Sequence, residues 1–381
     1  MYGVTVVLPL IQAEFVVGRS EASLPYALTM IGFGIGGIVM GRLSDRFGVV
    51  LPLVIGALGL CAGYVAAGLA QSLWQFALAQ GLLIGLLGTS TTFAPLVADI
   101  SHWFTRRRGI AVAICASGNY VAGAIWPPVM QHFFQSVGWR HTYVAIGVFS
   151  VLAALPLAWL LRRRPPAPSA SAQMGKQRAG AASAQSLGLS PGALQNLLCV
   201  AGIGCCVAMS MPQVHIVAYC GDLGYAAARG AEMMSLMLGF GVVSRLASGW
   251  LSDRIGGIRT LVLNSVLQCM ALLLFLPSDA MSALYLASAL FGLFQGGLIP
   301  SYAIIVREYF PAREAGARTA VVLTATLIGM AFGGWLAGAI FDLTGSYRSS
   351  FVNAIGWNLL NMSIALFLLR RARPGLAQAA L

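Results

Sequence analysis

Twelve apolar stretches separated by short polar joints run along the chain, at approximately 2–11, 23–41, 49–70, 75–98, 109–133, 140–161, 191–217, 226–248, 258–277, 281–306, 315–341 and 347–369. A helix needs roughly 20 apolar residues to cross ~30 Å of hydrocarbon, and most of the stretches reach that length. A segment in lipid must satisfy its own backbone polar groups, so each stretch predicts a helix. The strands of a membrane barrel would alternate over ~10 residues, and these stretches do not. The first stretch differs from the rest. Residues 2–11 are too few to cross, no basic segment precedes them and no cleavage site follows, which predicts a truncated first helix rather than a signal peptide.

Residues 162–190 (RRRPPAPSASAQMGKQRAGAASAQSLGLS) break the pattern. Pro, Ala, Ser and basic residues without apolar period predict a flexible linker. It divides the spans six and six: one bundle over 1–161, the linker, a second bundle over 191–369, and a tail over 370–381. The joint after the second span of each half carries nearly the same octapeptide. GRLSDRFG begins at 41 and GWLSDRIG at 249, 208 residues later, with six of eight letters shared. That spacing predicts a duplicated six-helix unit. The octapeptides read as compact charged turns, with Gly41, Gly48, Gly249 and Gly256 supplying the conformational freedom.

Composition fixes the class. The chain is 58% hydrophobic and 9% charged, against about 25% charged in soluble domains, so it is an integral membrane protein. Its 45 glycines suit close helix packing in lipid. The net charge of +12 does not point to nucleic acid, because the location of the basic runs, at 106–108, 162–164, 307–318 and 370–373, decides otherwise. The runs fall in alternate joints, as expected when positive loops remain in the cytoplasm. Of 23 basic residues, 18 fall on that side; Arg19, Arg140, Arg229 and Arg348 fall opposite, and Arg245 lies within a span. Both chain ends are predicted cytoplasmic, with the protein a multi-pass monomer of a bacterial inner membrane. The seven cysteines form no CxxC pair and read as small apolar residues, without metal or redox role.

Two six-helix halves, a long middle linker and G-x-L-x-D-R-x-G after the second helix of each half resemble the major facilitator superfamily of secondary transporters. Within it, FTRRRGIAVAICASG (104–118) looks like the signature leading into the fifth helix of monocarboxylate transporters, carried here by Phe104, Arg106, Arg107, Arg108, Ala111 and Gly118. GWR at 138–140 looks like related bacterial carboxylate carriers. That family places a substrate-binding arginine on its eighth helix, which the resemblance assigns to Arg245. Its usual acidic partner, one turn earlier, is Gly241 here. Ala77 occupies the place of the fourth-helix arginine of proton-driven drug exporters, and the eleventh span lacks the lysine of oxalate carriers.

The resemblance implies a gate. Asp45 and Asp253 would sit at the N-termini of the eleventh and fifth helices, near residues 315 and 109, and close the cytoplasmic side in the outward-facing state. A carboxylate there gains roughly 0.3–1 kcal/mol. Arg46, Arg254, Arg107 and Arg108 would join that charge network. Near mid-depth, Asn119 and Tyr120 lie about ten residues into the fifth span, ~15 Å along it. Gln295 lies mid-span in the tenth. Thr89, Ser90, Thr91, Thr92, Thr324 and Thr326 are expected to bond their own backbone or a neighbouring helix. Gln213 and His215 lie in the outer half of the seventh span, where a histidine can carry a proton. Pro127, Pro128, Pro212 and Pro300 are candidate bends.

No nucleophile–base set and no phosphate loop occurs, so an enzyme is not expected and no cofactor is implied. The expected function is secondary transport of a small organic anion, a monocarboxylate, by alternating access, driven by a proton or counter-anion gradient. The substrate-binding candidates are Arg245, Asn119, Tyr120, Gln295 and His215. Export of a drug-like compound by the same fold is the alternative within this class. A transport-incompetent receptor, suggested by the short first span, is the alternative outside it.

Overall fold

A computed structural model describes residues 2–103, 108–162, 187–277 and 279–372. Most of the 162–190 linker, the tail beyond 372 and the candidate gate residue Arg107 lie outside the described residues, as does the side chain of Arg108.

The described residues fold as helices. We number them α1 Gly3–Phe15, α2 Arg19–Phe47, α3 Val50–Gly68, α4 (Leu73–Leu78, Ala79–Gly88, Thr89–Thr92 and Ala94–Trp103 in succession), α5 Arg108–Val137, α6 Trp139–Leu160, α7 Pro191–Asp222, α8 Ala227–Ile255, α9 Gly257–Leu273, α10 (Met281–Gln295 and Leu298–Tyr309), α11 Ala312–Thr344 and α12 Tyr347–Arg371. Among the described residues nine helices are long and apolar enough to span a membrane, while α1 and α9 have 13 and 17 residues. The α4 segment Ala79–Gly88 is wound as a π-helix, and Thr89–Thr92 as a 3₁₀ turn.

Several helices run past their apolar windows. α1 continues to Phe15, α7 to Asp222, and α2 and α8 run through the octapeptides. The hydrocarbon limits where apolar residues are needed, whereas backbone hydrogen bonding continues past it. The octapeptides are therefore not loops. Gly41 and Gly249 are helical, and the turn is made at Gly48 and Gly256, with φ of +87° and +85°. Of the four, only these two need a glycine's tolerance of positive φ.

Successive helices run antiparallel, which defines a motif end, with Gly48 and Gly256, and a far end. Two helix pairs make most of the contact between the halves: α2 with α11, and α5 with α8. Both pairs pack closely from the far end to mid-depth. A Cβ at Gly338 would lie 2.7 Å from the Arg19 carbonyl, one at Gly334 would lie 2.8 Å from the Tyr26 ring, and one at Gly34 would rest 3.4 Å from Leu327. On the other pair, Gly123 faces Leu238 and Gly241 faces Tyr120. Towards the motif end, nothing described lies within 4 Å of a Cβ built at Gly37, Gly41, Gly249 or Gly316. The halves are joined at the far end, and at the motif end these four glycines face open space among the described residues.

Candidate functional site

Arg245 lies on α8 three turns before the motif end of that helix and is 7% exposed. Its Nη1 donates to the Ala116 carbonyl of α5 at 2.8 Å. Its guanidinium carbon lies 4.2 Å from the centre of the Tyr120 ring, also on α5. A cation over an aromatic face is attracted by the ring quadrupole. Nε is buried without a hydrogen-bond partner. Among the described residues no carboxylate pairs with this arginine. The geometry explains the glycine one turn earlier. A Cβ at Gly241 would overlap the Tyr120 ring, so ring and side chain cannot share that space.

Two further tyrosines complete the surroundings. Tyr2, just ahead of α1, stands within electrostatic reach of both Tyr120 and Arg245, and Tyr26 of α2 within reach of Tyr2 and Tyr120. All three are buried, and the Tyr26 hydroxyl has no partner among the described residues. The site is one fixed positive charge over the Tyr120 ring, with Tyr2 within electrostatic reach.

The other candidates fall elsewhere. His215 is fully buried between α2, α11 and α12: its Nε2 meets the Gly334 carbonyl at 2.8 Å, its Nδ1 the Tyr347 hydroxyl at 3.1 Å, and Ser23 Oγ lies 3.4 Å from Nε2. A neutral ring protonated on Nε2 satisfies the first two partners. Gln295 is buried at the last turn before the break in α10, with neither amide atom bonded among the described residues, and Gln213 is likewise unbonded among them. Asn119 is half-buried beside Tyr120 in the chain. Thr89, Ser90, Thr91 and Thr92 each donate to a carbonyl of α4 itself. Pro127 and Pro128 lie within an unbroken α5, and α10 is interrupted just ahead of Pro300.

At the motif end, Asp45 and Asp253 are exposed and make no hydrogen bond or ion pair among the described residues. Arg46 and Arg254 lie over aromatic rings of their own helices, Phe47 at 5.2 Å and Trp250 at 4.2 Å. Between the described residues, the charge network expected there is unmade in this conformation. Glu308 instead serves the second half alone, accepting from the Gly257 N–H at 3.0 Å and so capping α9.

The far end holds the network that sequence reasoning missed. Arg19 reaches Asp222 at 2.5 Å, joining α2 to α7 across the halves. Asp342 accepts from the backbone N–H of Arg19 at 2.8 Å, joining α11 to α2. Within the halves Arg140 pairs with Glu14, Arg229 with Glu232 and Arg348 with Asp279. The sequence did carry a signal: each of the four arginines assigned to the outer side finds an acid close to those same joints.

A groove of about 520 Å³ lined by Pro128, Glu232, Ser235, Phe240, Val243 and Tyr285 is a separate feature. Phe240 and Val243 are exposed whereas Gly241 and Arg245 are buried, so the groove belongs to another face of α8.

Comparison with known proteins accords with this architecture. The family model for the Major Facilitator Superfamily matches residues 1–282 and 265–380. The chain is 26% identical to the MFS-type transporter pynF of Aspergillus niger, over 94% of this chain and 81% of that protein. It is 27% identical to monocarboxylate transporter 13 of Rattus norvegicus, over 87% of this chain and 75% of that protein. Among solved structures it resembles a mutant form of the nucleoside transporter NupG, with a TM-score of 0.75, 11% identity and coverage of 98% of this chain and 96% of that one. It also resembles a bacterial homologue of the human lysosomal transporter Spinster, with a TM-score of 0.64, 17% identity and coverage of 97% and 90%. With its two six-helix halves and a family match along nearly its whole length, the chain is a multi-pass membrane transporter, not an enzyme, and belongs to the Major Facilitator Superfamily.

Proposed function

We propose that the protein carries a small organic anion, a monocarboxylate, across its membrane by alternating access, and that Arg245 holds the carboxylate. The observation that carries this reading is a buried guanidinium with a free Nε and no acidic partner among the described residues. A charge within a spanning helix costs at least ~2.5–3.5 kcal/mol at mid-depth, so it faces a cavity or a partner. A guanidinium grips a carboxylate through two parallel hydrogen bonds. Similarity to monocarboxylate transporter 13 supports the same substrate class.

The basic joints support placing the motif end and both chain ends in the cytoplasm, with the 162–190 linker joining the halves there. The motif end, where Gly37, Gly41, Gly249 and Gly316 face open space, is then the cytoplasmic mouth of an inward-facing state, and Asp45 and Asp253 are latches that engage when it closes. A proton or counter-anion gradient supplies the drive.

The test is calorimetric titration of the purified protein with benzoate, lactate and pyruvate. Wild type is expected to bind at least one of them. Arg245→Gln is expected to lose that binding while still folding and inserting, and Arg245→Lys to weaken it strongly, because lysine keeps the charge but loses the fork. Wild-type affinity in Arg245→Gln would make the arginine an interfacial anchor. The three tyrosine rings favour a second reading, export of an uncharged amphipathic compound. Under it, Arg245→Gln would leave transport of such a compound intact.

A further inference from the structure

Arg19 and Arg245 are the two buried arginines among the described residues, each 7% exposed. They are treated differently. Arg19 has the carboxylate of Asp222 at 2.5 Å. Arg245 has no such partner among the described residues. The groups that face it are the Ala116 carbonyl and Tyr120 from α5, and Tyr2 from the chain ahead of α1. On its own helix, the residues one turn away on either side are Gly241 and Gly249. Glu232, near the start of α8, is already held by Arg229 and Tyr285. Asp342 and His215 belong to the far-end packing around Arg19, Ser20 and Tyr347. Among the described residues no Asp, Glu or His bonds to Arg245.

A guanidinium does not lose its proton in a protein, so the charge is fixed. While the mouth is open, water is left with Nη2, the one guanidinium nitrogen that is neither bonded nor buried without a partner. Closure around an empty site strips that water from a charge with no counter-ion. Closure around a bound carboxylate encloses a hydrogen-bonded, neutral pair instead. An acid one turn away would supply the same counter-charge to the empty site, and the Tyr120 ring occupies the space in which that side chain would begin.

From these observations we infer that the protein is an anion exchanger: its loaded form changes sides and its empty form does not. The inference rests on the reading of Arg245 as the carboxylate site. It commits the transport cycle to a counter-anion rather than to a proton.

The experiment uses the full-length protein in proteoliposomes, with radiolabelled benzoate, lactate and pyruvate as probes. Vesicles are either preloaded with the same unlabelled anion or left empty of it. Uptake into preloaded vesicles is expected to exceed uptake into empty ones by about tenfold or more, and an inward proton gradient is expected to leave the empty-vesicle rate unchanged. Equal rates, or accumulation driven by the proton gradient in empty vesicles, would overturn exchange and leave the carboxylate reading standing. Absence of flux for all three anions in both modes, with the protein folded and inserted, would overturn that reading and the inference with it. A double variant, Tyr120→Ala with Gly241→Asp, places a carboxylate one turn from Arg245 in the space the ring vacates. Loss of the ring lowers anion affinity and both rates with it, so the readout is their ratio, which is expected to fall towards one. A ratio as large as that of wild type would overturn the unpaired charge as the cause.

Discussion

Asp342, in the last turn of α11, accepts two hydrogen bonds from Ser20, in the first turn of α2: one from its backbone N–H at 2.9 Å and one from its hydroxyl at 2.6 Å. With the bond from the Arg19 N–H, a carboxylate of one half caps a helix N-terminus of the other. Those N–H groups have no intrahelical partner, and the helix dipole favours an anion beside them. The arrangement expected of Asp45 at the N-terminus of α11 involves the same two helices at their opposite ends.

Asp342→Ala is expected to loosen the far end. Hydrogen bonds to a charged group contribute about 1.5–3 kcal/mol each, so the far-end-open population should rise by about tenfold or more. Double electron–electron resonance between labels at the far ends of α2 and α11 reads this directly. Unchanged distances would remove Asp342 from any role in closure.

Asp45→Asn is expected to leave the present conformation intact, since Asp45 bonds to none of the described residues in it. The effect should fall on the opposite state. Losing a carboxylate at a helix N-terminus costs roughly 0.3–1 kcal/mol, which lowers the motif-end-closed population about two- to fivefold. Labels at the motif ends of α2 and α11 report the change. A motif-end distance distribution identical to wild type, together with an unchanged transport rate, would show that Asp45 is only a solvated charge.

Gly241→Ala is expected to destabilise the protein by about 1–3 kcal/mol, because the new methyl group displaces the Tyr120 ring. Anion affinity should fall as well, since Tyr120 positions Arg245. Adding Tyr120→Ala should restore the melting temperature and not the affinity. Recovery of both would show that the ring has no part in placing the guanidinium.

His215→Gln is expected to transport with an unchanged dependence on pH between about 5 and 8, where histidine ordinarily titrates. Glutamine can still donate to the Gly334 carbonyl and accept from the Tyr347 hydroxyl, the two partners of the neutral ring. Loss of an acid-side limb in the rate profile of the variant would return a proton-carrying role to this residue.

The helices were legible because burial in lipid imposes an apolar window on each. Their ends were not, because polar residues such as Glu14 and Asp45 continue the helix outside that window. Arg245 stood out as a basic residue inside a span, and Tyr120 by its depth in the fifth. Tyr2 and Tyr26 did not, since proximity between helices leaves no local mark. For the same reason Arg140 could be placed at the outer surface without its partner, Glu14, which lies 126 residues away in the chain. Nor could the octapeptides reveal which of their two states the molecule occupies, because an unmade contact has the same sequence as a made one.

The contact between Gly34 and Leu327 makes α2 a lever with unequal arms. Arg19 lies 15 residues before Gly34 and Asp45 lies 11 after it, or ~22 Å and ~16 Å at the rise of an α-helix. If α2 turns as a rigid rod about that fulcrum, any rotation sweeps the Arg19 end through the longer arc. Unseating Asp342 from Ser20 would then open a wider mouth than the one the same rotation closes at Asp45, and the two mouths would admit solutes of different size.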